Sequence, residues 1–446
     1  RAQQVRPPYS APSLAAALRD GRDPNGRPFD AVMPRYRLSD ADMAHLVAYL
    51  ETLGAVDDPG VDDTTVHFAT VITPDVSSER RRAMLEVMRA YFEWKNDDTE
   101  GQRQRPGHSP WHRDDFYRAL RRWQLHVWQL EGPSATWGDQ LTDLYREQPV
   151  FALLGGLGDD DWRPVHDFCE RQAVPCLFPS TERPAVAEAG AYALYLSRGP
   201  AVEAEALATH LRQAAKQAEG ATRVLQIHRD SGASRLAGDA LRRALRDAEA
   251  IDLRSHELAA NESLDAAAWQ HVLGEQQLGE REPAVLVLWL AEVDWQALAE
   301  VPDNARPESI VLSYSLLGES LPQVPESLSE SVRLTYRFAL PGREVPRIYR
   351  VRGWMRSRQL ATTHERLRLE TYFALSIADH AIDHLVESFS RDYFIENVEH
   401  EAENALNPGV YPHLSLGPGQ RFASKGSYVV RLTDGKIEPV SPWIVP

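Results

Sequence analysis

Cysteine is almost missing: Cys169 and Cys176 are the only two in 446 residues, so the chain has little disulfide framework. They lie where the helix-like "DWRPVHDFCERQA" turns into "VPCLFP". A local disulfide fits that spacing, and so do two reduced, buried thiols. Cys-x-x-Cys-His is absent, so this chain cannot attach a haem covalently. No run approaches the ~20 apolar residues that span a bilayer. No signal peptide is visible, and the abrupt start "RAQQVRPPYS" leads us to expect that an upstream part has been removed. Positive charge is also short. A net charge of −16 argues against nucleic acid and anionic membranes, which reward clustered Lys and Arg. The clusters Arg80-Arg81-Arg82 and Arg242-Arg243 read as solvated helix faces. Neither Gly-x-x-x-x-Gly-Lys-Ser/Thr nor Gly-x-Ser-x-Gly occurs, so P-loop and nucleophile-elbow chemistry have no support.

Apolar residues make up 43%, enough to bury a sizeable core over two or three domains. The first 54 residues are helical and polar, and "AVDDPGVDDTT" reads as an acidic linker over 55–64. From residue 65 short apolar runs alternate with amphipathic helical stretches. "VHFATVITP" precedes "SSERRRAMLEVMRAYFEWKN", and "WQLHVWQL" precedes "SATWGDQLTDLYRE". "PVFALLGGLG", "VPCLFPS" and "AYALYLS" follow, then "TRVLQIHRD", "AVLVLWLA" with the helix-like "VDWQALAE", and "SIVLSYSLL". Strands that are apolar throughout and separated by helices imply parallel sheets covered on both faces. The expected fold class is therefore α/β, with two doubly wound, Rossmann-like lobes at 65–197 and 198–330. A helical and hairpin segment at 331–446 returns to the lobes, its hairpin turn carrying Asp434-Gly435. "GQRQRPGHSPWHRDD" lacks periodicity and reads as an exposed insertion.

Candidate chemistry is sparse. "GGLGDDDW", a Gly-rich turn opening a helix, offers backbone N–H groups to an anion such as a carboxylate, or is only a tight strand-to-helix turn. His380 and His384 stand four apart on a predicted helix, with Asp379 and Asp383 before them. Without further ligands nearby in sequence they read as core-edge histidines bonded to carboxylates, and no metal site is assigned.

Two resemblances add to this. Residues 65–446 resemble a periplasmic solute-binding protein of the branched-chain amino acid/amide receptor type, the type I periplasmic binding fold. The likeness rests on the Gly-rich turn at Gly155–Gly158, on "AVPCLFPSTE" and "YALYLSRGP", and on "VLQIHRDSGASRLAGDALRRAL", which opens the second lobe. The family has Tyr-Gly around Ala233 to Arg235, so ligand specificity does not carry over. Residues 1–54 resemble the second half of a c-type cytochrome, with Met33 of "VMPRY" at the axial thioether position and "SDADMAHLVAYLETL" as the terminal helix. Ser39 would cap that helix with Asp42 three residues on, and Leu46, Tyr49, Leu50 and Leu53 would form its buried stripe. The ending "YPHLSLGPGQRFASKGSYVVRL" resembles a subgroup in which a solute-binding module is fused behind such a cytochrome.

The resemblance implies a periplasmic, non-enzymatic protein. It would bind a small polar solute, amino acid or amide-like, in a hinged interlobe cleft, for an ABC permease or for sensing. Gly156, Leu157, Ser180 and Thr181 would hold the carboxylate of the solute. Asp230, Trp289 and Leu290 would face its other end, with Tyr195 and Tyr314 near the crossovers. Ser180 and Thr181 could equally cap a turn, and Asp230 a helix. No residue is assigned as catalytic. No cofactor is expected in this chain, and haem c only in a longer parent carrying Cys-x-x-Cys-His. The alternative is an electron-transfer subunit whose lobes have become a docking scaffold for a redox partner. Neither nucleic acid nor membrane insertion enters either reading.

Overall fold

Strand β1 (Thr65–Ile72) places Phe68 and Ile72 on one face of a sheet and Ala69 and Val71 on the other, and all four are fully buried. Such two-sided burial is what a parallel strand between helical layers requires. The computed structural model describes residues 7–52, 57–104, 120–185, 190–217, 221–230, 232–259, 262, 264–275, 284–291, 295–318, 321–342, 347–385, 388–404, 409–417, 419–433 and 435–446.

The first sheet is wholly parallel. β1 lies between β2 (Arg122–Gln129) and β3 (Ala152–Leu154), followed outward by β4 (Cys176–Leu177) and β5 (Ala193–Leu194), in the order β2-β1-β3-β4-β5. Phe68, Ile72 and Leu154 face helix α3 (Ser78–Gln104), and Ala69, Val71 and Leu153 join residues of α4 (Trp137–Glu147) and α5 (Arg163–Gln172). The second lobe repeats the order. β6 (Thr222–Arg229) lies between β7 (Ile251–Leu258) and β8 (Ala284–Trp289), then come β9 (Ser309–Ser313) and β10 (Val332–Tyr336). Helices α6 (Pro200–Ala215) and α7 (Gly232–Ala244) cover one face of this sheet, and α8 (Ala266–Glu275) packs beneath the other. The second sheet thus runs past residue 330, and β10 belongs to it.

After β10 the chain returns to the first lobe as α9 (Arg347–Ser357), α10 (Glu365–Asp383) and α11 (Arg391–Asn404). α10 lies against α3, where Tyr91 donates to Asp379 at 3.0 Å and Lys95 pairs with the same carboxylate. The chain then crosses back as the antiparallel hairpin β11 (Tyr428–Thr433) and β12 (Lys436–Pro439) on the edge of the second sheet. Gly435 sits at φ +71, as the hairpin turn requires, and Asp434 lies outside the described residues. Three crossovers therefore join the lobes, and they are tied to one another. The amide of Tyr195 donates to Arg421 O at 2.8 Å, Ala423 to Tyr195 O at 2.9 Å, and Ala339 to Val410 O at 2.9 Å.

Several expectations change. The second half of "SIVLSYSLL" is a 3-10 turn at Tyr314–Leu317, because the chain leaves the sheet at the lobe boundary, and "VDWQALAE" forms only a 3-10 turn at Gln296–Glu300. Most of the expected insertion lies outside the described residues. Cys169 and Cys176 are free, buried thiols, and burial together with a hydrogen bond to Cys176 raises Cys169 well above the usual thiol range. In the N-terminal segment, α1 (Ala11–Asp20) and α2 (Asp40–Thr52) are joined by an Arg19–Asp40 ion pair of 2.9 Å. Ser39 caps α2 as expected, its hydroxyl accepting from the Asp42 amide at 3.1 Å and donating to the Asp42 carboxylate at 2.7 Å. The expected stripe does not form, because cover is supplied only near the start of α2. Met43 is buried, Leu46 half-buried, and Tyr49 and Leu50 are exposed; Leu53 lies outside the described residues. Met33 is 51% exposed.

One buried cation anchors the returning helices. Arg391, at the start of α11, donates through Nε to Phe151 O at 3.0 Å, and through Nη2 to Val150 O at 2.7 Å and Pro59 O at 2.9 Å. Its Nη1 reaches Ala173 O at 3.2 Å. A guanidinium supplies five donors in a fixed fork, and here main-chain carbonyls take them. Replacing Arg391 with Leu would orphan these carbonyls. The variant is expected to lose about 3 kcal/mol or more of unfolding free energy, read from urea denaturation.

Candidate functional site between the two sheets

In both sheets the parallel strands end toward the other lobe, and open α/β sheets bind ligands at those carboxyl ends. A cleft of about 660 Å³ lies there. The first lobe contributes Asp161 and Arg163 after β3 and Arg183 after β4. The second contributes Asp230 after β6 and Arg235 and Asp239 on α7, while Arg198 and Glu205 come from the first crossover and α6. Pro184 and Leu236 are its only bulky apolar walls among the described residues.

The charges are largely mated. Arg183 pairs with Asp160, Arg198 donates to Glu205 at 2.9 Å, and Arg235 stands 3.8 Å from Asp239. Asp230 differs: among the described residues its buried Oδ1 has no hydrogen-bond partner. A buried carboxylate oxygen left unpaired is costly, which marks it as a position awaiting a donor.

Deeper between the lobes the space is filled by the chain itself. Arg337, at the start of the second crossover, is buried and reaches both oxygens of Glu182 in the first lobe, at 2.6 and 2.8 Å. Glu203, in the first turn of α6, is fully buried and accepts from Ser313 Oγ at 2.5 Å, Thr335 Oγ1 at 2.8 Å and the Ser315 hydroxyl. Glu370 on α10 accepts from Tyr411 Oη at 2.9 Å. Burial pushes the Glu203 carboxyl above its usual range, against the pull of Arg337 and the three hydroxyls. Burial likewise raises Glu370, against Arg366 and Arg337. Burial disfavours the Arg337 cation too, but Glu182, Tyr411 and Glu203 outweigh it and hold the guanidinium charged.

Of the residues expected from sequence, only Asp230 lines this cleft. The Gly-rich turn is already spent: the amides of Gly155, Leu157 and Gly158 donate to Leu177 O, Val71 O and Ser180 O. Leu157 therefore has no amide to offer a carboxylate. The anion met by this turn is the chain's own, for the Asp159 amide donates to Asp75 at 2.8 Å. Gly156 and Gly158 are glycines for packing, since a Cβ on either would lie 2.9 Å from the Trp162 ring. Ser180 turns its hydroxyl toward Glu370 at 3.5 Å, and Thr181 accepts from the Arg183 amide, the turn-capping role. Tyr195 is buried against His166, at 2.9 Å. Trp289 is buried with its indole N–H on Gln226, and Leu290 is buried as well, so neither faces the cleft. Tyr314 lines a second, smaller pocket. Arg183 and Arg198 were missed because they follow strands as ordinary charged loop residues, and Arg163 and Arg235 because they read as charged positions of α5 and α7. His380 bonds the Ser376 carbonyl at 2.8 Å, and among the described residues no group of three or more His, Cys, Asp or Glu is arranged to hold a metal.

No protein-family model and no curated protein sequence matches the chain. Solved structures do. A fatty acid ABC transporter substrate-binding protein from Thermomonospora curvata superposes with a TM-score of 0.59 at 14% identity, over 87% of this chain and 95% of that one. A branched-chain amino acid ABC transporter from Thermus thermophilus with bound valine gives 0.59 at 12% identity, over 86% and 98%. A leucine-binding protein from Thermotoga maritima gives 0.57 at 13% identity, over 85% and 99%. The fold is that of the type I periplasmic binding proteins.

Replacing Arg337 with Met would leave Glu182, Glu203 and Glu370 without their shared cation, at an expected cost of about 3–5 kcal/mol near pH 8. Glu203 and Glu370 are acids whose folded-state pKa lies above the unfolded value. Their neutral forms are favoured by folding, and the penalty grows as pH rises through the folded pKa. The loss in the variant should therefore shrink toward pH 5, which urea titrations of both proteins at the two pH values would check.

Proposed function

We propose that this chain captures a small polar solute in the interlobe cleft, outside the cytoplasmic membrane, for an ABC-type permease or for sensing. The observation that carries the reading is the cleft itself: both sheets end in it, both signs of charge line it, and Asp230 Oδ1 stands there unpaired. A zwitterion of the amino acid or amide class suits that arrangement. Its ammonium or amide N–H groups would reach Asp230, and its carboxylate would meet the guanidinium forks of Arg183 or Arg235, which favour planar anions. The scarcity of apolar wall favours a polar side chain over an aliphatic one. Closure of the lobes around the solute would follow from contacts made in the closed arrangement alone.

A cleft lined by charge speaks for capture over the docking-scaffold alternative, which an apolar, tightly filled cleft would have favoured. The c-type cytochrome coupling, with Met33 as axial ligand in a longer parent, rests on the sequence resemblance of residues 1–54 alone.

Native and denaturing mass spectra of the purified chain test the reading, followed by calorimetric titration with a panel of amino acids and amides. A small excess mass lost on denaturation, or saturable binding to one of the panel, is expected. Asp230→Asn should weaken that binding about 10- to 100-fold, the loss of one charge-assisted hydrogen bond. No retained mass and no binding across the panel would sink the proposal.

A further inference from the structure

The interlobe space holds a second pocket, of about 140 Å³, and it shares no lining residue with the charged cleft. Tyr314 and Tyr336 at the ends of β9 and β10 and Phe338 in the second crossover form one wall. Their rings meet edge to face, with centroids 4.8, 5.8 and 5.7 Å apart. The other wall is α9 and the start of α10, from the first lobe, so the pocket is built from both lobes.

Two arginines line it, in different states. Arg352 is fully engaged by Glu365, at 2.7 and 3.0 Å. Arg366 lies over the Phe338 ring, 4.5 Å from its centroid, with neither hydrogen bond nor ion pair to any described residue. Glu370, one turn along α10, attracts it only through space. Stacking satisfies the flat face of a guanidinium but leaves its edge donors unused, and those donors match a carboxylate bidentately. The pocket does not suit a cation. The Phe338 ring, which would bind one, already carries Arg366 and also Arg337, 5.0 Å from its centroid. The volume is that of a cavity able to hold one benzene-sized group.

We propose that this hinge pocket is a second ligand site, taking a compact carboxylate with a flat or short apolar body, with the acid group on Arg366 and the body against Tyr314, Tyr336 and Phe338. Its walls come from both lobes, so an occupant holds them at the spacing seen here. The site is independent of what fills the larger cleft.

Sodium benzoate is the probe and benzyl alcohol its uncharged control, each titrated into the full chain by calorimetry and thermal denaturation. Benzoate should bind saturably and raise the melting temperature with concentration, while benzyl alcohol should do neither. Arg366→Gln should weaken benzoate at least about tenfold, the loss of a charge-assisted bond. Ala339→Leu fills the same pocket without removing a polar group and should abolish binding while the protein stays folded by circular dichroism. Asp230→Asn should leave benzoate binding unchanged, which separates this site from the solute cleft. The proposal is overturned if benzoate acts no differently from benzyl alcohol, if both pocket variants bind as the parent does, or if Asp230→Asn removes the response.

Discussion

A guanidinium buried between two lobes is the constraint on which the rest of the interlobe region depends. Arg337 enters from the second crossover, reaches both oxygens of Glu182 of the first lobe through its Nη2, and lies within the field of Glu203 and Glu370. Taking a charge out of water costs several kcal/mol, so such a group persists only where anions and hydrogen-bond acceptors offset that loss. That requirement accounts for features otherwise unrelated: hydroxyls at the ends of β9 and β10 around Glu203, a tyrosine of the third crossover on Glu370, and Ser197 of the first crossover 3.3 Å from Arg337. All three crossovers meet at one charge.

Two pockets lie near this cluster: the charged cleft includes Arg183, next to Glu182, and the smaller one includes Phe338, next to Arg337. The first is a roomy cleft whose walls are charged, and the second a smaller pocket in which Tyr314, Tyr336 and Phe338 stand beside Arg352, Glu365 and Arg366. Both hold charged groups, but only the smaller one sets aromatic rings beside them.

The layered α/β architecture was legible because it is written locally. "AVLVLW" is apolar at every position and "VHFATVI" is broken only by His67 and Thr70, a pattern that suits a strand covered on both faces. The hairpin at Gly435 and the cap at Ser39 were equally local. What escaped was non-local. The stretch "SYSLL" looks like strand but turns at Tyr314 because the sheet ends there. The stripe expected at Leu46, Tyr49 and Leu50 depends on what covers α2, which the helix does not encode. At the site, the family resemblance named Asp230, and it lies on the wall of the cleft. Leu157 misled because nothing in "GGLGDDDW" reveals that Val71 already holds its amide. Arg337 and Glu182 are 155 positions apart, and Arg391 finds carbonyls more than 200 positions away, so no window of sequence pairs them.

The three crossovers have a mechanical consequence. Joined by a single strap, two bodies can twist, slide and bend about it. Here the straps are laced together, Tyr195 to Arg421 and Ala423 and Ala339 to Val410, by main-chain hydrogen bonds that shear or torsion would have to break. Bending about the line of the straps strains them least, because it turns a few backbone dihedrals and leaves the lacing intact. The pair of lobes therefore has one soft coordinate. Motion along one such coordinate would bring the residues on the two rims back to the same register each time.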